Sequence, residues 1–162
     1  MDIQLFVSSD LDISAEHMDP ISNKDYFNKP HGGLWTSTYR PETHDSGWVE
    51  WCHWNDFGDV DSKSWYLLTP KADPNIYTIR SLDDLCRLLQ EYSVPLPRPG
   101  FERHYLDFEA LSKVYDGIHL TQEGQMETHL SFPENLYGWD CESTLWFGWH
   151  FERVEKIERV KA

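Results

Sequence analysis

A chain of 162 residues, 40% hydrophobic and 15% aromatic, has the length of one domain and the material for a core, which excludes a disordered segment. Its formal net charge of -14 repels phosphate and disfavours ordinary nucleic-acid binding; the same field suits a basic protein partner, mimicry of nucleic acid, or plain solubility. Cys52, Cys86 and Cys141 form no CxxC pair, the start Met1-Asp2-Ile3-Gln4 has no signal-peptide character, and no apolar run reaches transmembrane length. A cytoplasmic protein with no membrane partner is the expectation.

Ile3-Gln4-Leu5-Phe6-Val7 reads as a first strand, closed by Ser8-Ser9-Asp10. Residues 10 to 30 read as loop with a short helix, punctuated by Pro20, Asn23 and Pro30. Gly32-Gly33 turns into the β-branched and aromatic strand Leu34 to Tyr39, and a helix over Trp48 to Trp54 follows, capped by Asp45 or Ser46. Trp48, Trp51 and Cys52 fall on one face of that helix. Strands are predicted at Ser64 to Thr69 and Asn75 to Ile79. Ser81 then caps an amphipathic helix with acids in its first turn and a stripe of Leu82, Leu85, Leu88 and Leu89.

Pro95, Pro97 and Pro99 read as a stiff exposed linker, and Asp107 caps a short helix through Tyr115. Gly117 to Thr121, Thr144 to Phe151 and Val154 to Val160 complete the strands. The pattern predicts a single α+β domain over residues 1 to 162, with short mixed or antiparallel strands and two or three helices.

No phosphate-binding GxxxxGK[ST] loop, no GxGxxG and no HExxH occurs. His31, His44 and His53 are too irregularly spaced for a zinc site, so no metal is expected. Cys52 and His53 are neighbours in sequence and do not face each other on a helix. With 8 Trp residues the chain has many large side chains that either fill a core or wall a cleft for a planar ligand. The residue that stands out is Glu142, an acid at the start of the aromatic run Leu145-Trp146-Phe147, because a carboxylate there must be paired or hydrogen-bonded.

Four segments in order carry a family resemblance: Leu5-Phe6-Val7-Ser8-Ser9; Leu34-Trp35-Thr36-Ser37-Thr38 followed by a helix; Tyr115-Asp116-Gly117-Ile118; and Glu142-Ser143-Thr144-Leu145-Trp146-Phe147. This arrangement resembles the ADP-ribosyltransferase superfamily, the toxin-type NAD-splitting fold, and its phage and bacterial members. There an early strand grips NAD, a second carries a Ser-Thr-Ser-like motif, and an aspartate-glycine strand precedes the strand with the catalytic glutamate.

The resemblance implies NAD as substrate and transfer of ADP-ribose to a macromolecular acceptor, protein or nucleic acid, or hydrolysis of NAD. It makes Glu142 the catalytic carboxylate, stabilising an oxocarbenium-like state. Ser37 and Thr36 would support it, Trp35 and Tyr39 would wall the nicotinamide, and Ser8 or Ser9 would substitute in binding NAD for the first-strand His or Arg of the family. Two positions depart from the family. Val7 stands where the family has His or Arg, and Asp140-Cys141-Glu142 replaces a doubled glutamate. The residues alone also allow plainer roles: a strand-edge acid paired with Arg or Lys for Glu142, core packing for Trp35, an ordinary strand hydroxyl for Ser37, and a turn residue for Asp116. A function of another class fits the charge, a non-catalytic acidic binding or inhibitor protein of phage type that docks on a basic partner.

Overall fold

The computed structural model describes residues 1–24, 28–95 and 104–159. Seven strands form one mixed sheet: β1 (Gln4–Ser8), β2 (Leu34–Thr38), β3 (Ser64–Pro70), β4 (Ile76–Ile79), β7 (Gly117–Leu120), β8 (Ser143–Trp146) and β9 (Phe151–Ile157). Their spatial order is β4-β7-β8-β2-β1-β3-β9, with β5 (Ser93–Pro95) and β6 (His104–Leu106) paired apart. The β4–β7 pair is parallel and the other pairs of the large sheet are antiparallel. The α+β expectation therefore holds in this form.

Alternation along the strands gives the sheet two different faces. Leu34, Tyr66, Leu68 and Trp146 point to one side, where Ile13 and Phe151 close over them. The opposite side carries two separate cores. One joins Ile118, Leu120 and Leu145 to the helices. The other joins Leu5 and Trp65 to Val49, Cys52 and Val60. The sheet between these two half-cores is covered by neither.

Caps place the helices. Ser46 accepts from the amide of Val49 at 3.4 Å and opens α1 (Gly47–Trp54). Asp45 is instead held by Arg40 Nε at 2.8 Å. Ser81 accepts from Asp84 N at 3.2 Å to open α2 (Leu82–Glu91), whose Leu85, Leu88 and Leu89 are buried as predicted. Asp107 caps α3 (Phe108–Leu111), and Thr121 caps α4 (Gln122–Thr128) through Gly124 N at 3.0 Å.

Several expectations are corrected. The helix from Asp107 stops at Leu111 and continues only as a turn. The helix count among the described residues is four, because α4 was hidden by a polar sequence with little apolar period. Its Gly124 is required: a Cβ there would meet Ile79 O at 2.2 Å. The aromatic run expected as one strand to Phe151 is divided. β8 ends at Trp146 in the middle of the sheet, and β9 starts at Phe151 on its edge. A continuous apolar run does not reveal a turn placed inside it. Pro95 lies in β5 rather than in a linker, whereas Pro97 and Pro99 lie outside the described residues. No helix among the described residues is long and apolar enough to cross a membrane.

Candidate functional site

β2 stands between β1 and β8, so the segments carrying Ser8, Ser37 and Glu142 are neighbours in the sheet. β2 and β8 pair from Leu34↔Trp146 to Thr36↔Thr144 and then part. Glu142 fills the gap. Its Oε2 accepts from Thr38 N at 2.9 Å and its Oε1 from Thr38 Oγ1 at 2.9 Å. His119 Nε2 on β7 is 2.9 Å from Oε1 and donates to it, since a carboxylate only accepts. Ser37 Oγ lies 3.2 Å from Oε2 and 3.1 Å from Glu142 O. Among the described residues no arginine or lysine is paired with the carboxylate, against the strand-edge reading.

The Glu142 side chain is 14% exposed. Burial pushes its pKa up, but the His119 hydrogen bond, the Thr38 amide and the Thr38 hydroxyl outweigh this and hold it below the ordinary carboxylate value. The Ser37 hydroxyl has one proton and two candidate acceptors, so when it donates to the carbonyl, Oε2 keeps a lone pair for another donor. Ser37 Oγ also accepts from Trp48 N at 3.2 Å, which ties the carboxylate to the start of α1.

Beside this group, between the two half-cores, lies a cavity of about 310 Å³. Val7, Trp35, Ser37, Trp48 and Trp139 wall it, and Lys29, Asp140 and Cys141 add polar groups. Trp139 meets Trp35 edge-on with centroids 4.7 Å apart, and Lys29 Nζ sits 5.3 Å from the centre of the Trp35 ring. Burial lowers the Lys29 pKa, and Asp140 opposes that shift. The Cys141 thiol is pushed up to about 12 by burial and by Glu142, which keeps it protonated and unsuited to nucleophilic attack. By alternation Trp35 and Ser37 share the cavity's face, whereas Thr38 and His119 approach the carboxylate from the other side of the sheet. Ser37 is thus the residue that touches both cavity and carboxylate.

Of the remaining predicted residues, Thr36 lines the cavity, whereas Tyr39 and Ser8 do not. Thr36 is buried, donates to Gln4 Oε1 at 2.7 Å and accepts from Trp146 Nε1 at 2.9 Å; it braces the core and does not support Glu142. Tyr39 bonds His44 Nδ1 at 3.0 Å and faces a second, broader cleft with His53, Asp61 and Arg159, so it is not a wall of the Trp35 cavity. Ser8 accepts from Asp10 N at 3.1 Å and does not line the cavity, which Val7 does. Asp116 takes the structural role, accepting from Asn75 N at 2.7 Å.

Sequence reasoning passed over His119, Lys29 and Trp139. The signal for His119 was a polar residue at one alternate position of an otherwise apolar strand. Lys29 and Trp139 sit in loops, where no periodicity assigns a face. No group of three or more metal-binding side chains occurs among the described residues. Comparison with protein-family models, with curated proteins and with solved structures finds no match to this chain.

Proposed function

We propose that the protein is an ADP-ribosyltransferase-like enzyme that takes NAD at the aromatic cavity and uses Glu142 as its carboxylate. The observation that carries this reading is Ser37, whose hydroxyl lines the cavity and reaches the Glu142 carboxylate at 3.2 Å. A ribose hydroxyl arriving past Ser37 would take the lone pair that Ser37 leaves free. The nicotinamide–ribose C–N bond then breaks with its electron pair leaving on nicotinamide. The charge developing on the ribose is stabilised by the carboxylate, and an acceptor nucleophile or water attacks C1′ and gives up a proton. Trp35 and Trp139 offer aromatic faces and edges to the planar nicotinamide. Lys29 supplies a cation where Val7 offers none, and that suits a pyrophosphate in a strongly acidic chain. The cavity's volume matches a nucleoside-sized part of the dinucleotide, leaving the rest outside.

The test is nicotinamide release from NAD by the wild-type protein and by Glu142→Gln. Release abolished in the variant supports the reading. No release together with no NAD binding by calorimetry defeats it.

One observation favours a second reading. Glu142 also does a structural job, replacing the missing β2–β8 rung at Thr38 N. If that is its whole role, the protein is a non-catalytic acidic module for a basic partner. A partner complex that survives Glu142→Gln, from a protein inert toward NAD, would mark this case.

A further inference from the structure

Helix α1 turns Val49 and Cys52 into the core, lays Trp48 and Trp51 partly buried against it, and leaves Trp54 exposed. The Trp48 and Trp51 rings stack with centroids 5.3 Å apart and an interplanar angle of 12°. Phe57, on the turn after the helix, packs edge-on against both, at 5.9 and 5.3 Å. These three rings are already packed together as a ledge, Phe57 remains 52% exposed, and Trp54, three residues on from Trp51 along α1 and so beside it on the helix surface, is 83% exposed. Clustered exposed aromatics of this size are characteristic of interaction surfaces, and Trp is the residue that most often dominates their energetics.

The chemistry around the ledge selects the occupant. Asp56 and Asp59 stand on either side of Phe57, both exposed and both with positive φ, 48° and 43°. Among the described residues neither belongs to an ion pair, while the nearby Glu50 and Asp61 are already engaged by Arg40 and by His53 and Arg159. The adjacent cation is Lys63, whose Nζ approaches Gly58. Aromatic faces beside unpaired carboxylates suit guanidinium and ammonium groups, which stack on the rings and pair with the acids. The net charge of -14 opposes a second copy of the chain, a nucleic acid or an anionic membrane at the same place.

The geometry points to Trp51, Trp54 and Phe57, with Asp56 and Asp59, as a docking surface for an arginine- and lysine-rich protein segment. This rests on the macromolecular partner proposed above and gives it a chemistry. Trp48 belongs to both ledge and cavity, so a segment bound here lies next to the site around Ser37.

The test titrates a fluorescein-labelled arginine–glycine repeat peptide by anisotropy, with circular dichroism to check each variant's fold. Trp54→Ala, at an exposed position, weakens binding about tenfold. Asp56→Asn with Asp59→Asn weakens it several-fold and flattens its salt dependence. Glu16→Gln with Glu123→Gln removes the same charge on other elements and changes affinity less than about twofold. The proposal falls if Trp54→Ala binds like wild type, if the remote pair costs as much as the Asp pair, or if sedimentation shows the ledge buried in a dimer. Glu142→Gln separates this from the NAD reading. Peptide binding that depends on Trp54 in a protein without NAD turnover keeps the docking surface and loses the enzyme, and the reverse result does the opposite.

Discussion

Replacing Glu142 probes the buried carboxylate directly. Alanine leaves Thr38 N, Thr38 Oγ1 and His119 Nε2 without the acceptor they now share, while Ser37 can still turn to the backbone carbonyl. Unsatisfied buried donors cost about 1–3 kcal/mol each, but the hydroxyl can rotate and the imidazole can move its proton, which puts the net loss at about 3 kcal/mol. For a domain of this size that lowers Tm by roughly 6–12 °C. Glutamine keeps one acceptor for Thr38 N and loses charge assistance, at about 1–2 kcal/mol.

The pH dependence follows from the direction of the shift. The folded pKa of Glu142 is depressed, so its contribution is fully present above the unfolded carboxylate value and is lost as pH falls through the folded one. Urea melts of wild type and Glu142→Gln should differ at neutral pH and converge as pH falls through the depressed folded pKa, because Gln resembles the protonated acid. The difference between the two proteins cancels the general effect of discharging other carboxylates. Equal stability of wild type and Glu142→Ala at neutral pH, or a Gln deficit that does not shrink on acidification, would refute the reasoning.

Thr36→Val should cost about 2 kcal/mol in urea melts by stranding Gln4 Oε1 and Trp146 Nε1; stability equal to wild type would show that neither partner depends on the hydroxyl. Lys29→Met should raise the KM for NAD about tenfold and move kcat little, as expected of a group that grips phosphate; steady-state nicotinamide release reads both constants. Gly124→Ala should destabilise by about 3 kcal/mol or more in chemical denaturation, since its Cβ would lie 2.2 Å from a backbone oxygen of Ile79 that cannot swing away.

Local chemistry was legible in the sequence where one residue determines it. Ser81 and its acids announced α2, Asp-Gly announced the entry to β7, and the energetic cost of an isolated carboxylate singled out Glu142. The contact of Ser37 with Glu142 was anticipated from motif order, but the faces were not. Period-2 alternation separates Thr36 from Trp35 and Ser37 only once the register with β8 is known. Tyr39 lies one residue past the end of β2, where it packs on the Val49 core and bonds His44, so it lines the broader cleft and not the Trp35 cavity. His119 reaches Glu142 because β7 and β8 pair at His119↔Thr144, a long-range choice that no short window encodes.

The rung that Glu142 supplies has a consequence for how the protein comes into being. The carboxylate and the Thr38 amide it satisfies are 104 positions apart. At synthesis rates of ~5–20 residues per second, β2 waits roughly 5–20 s for that acceptor to be made. Until then Trp35 has neither Trp139 against it nor β8 beside it. A nascent chain therefore holds an open aromatic strand edge that chaperones can recognise, and it has no assembled cavity. The cavity itself forms only once the late strand has closed the sheet.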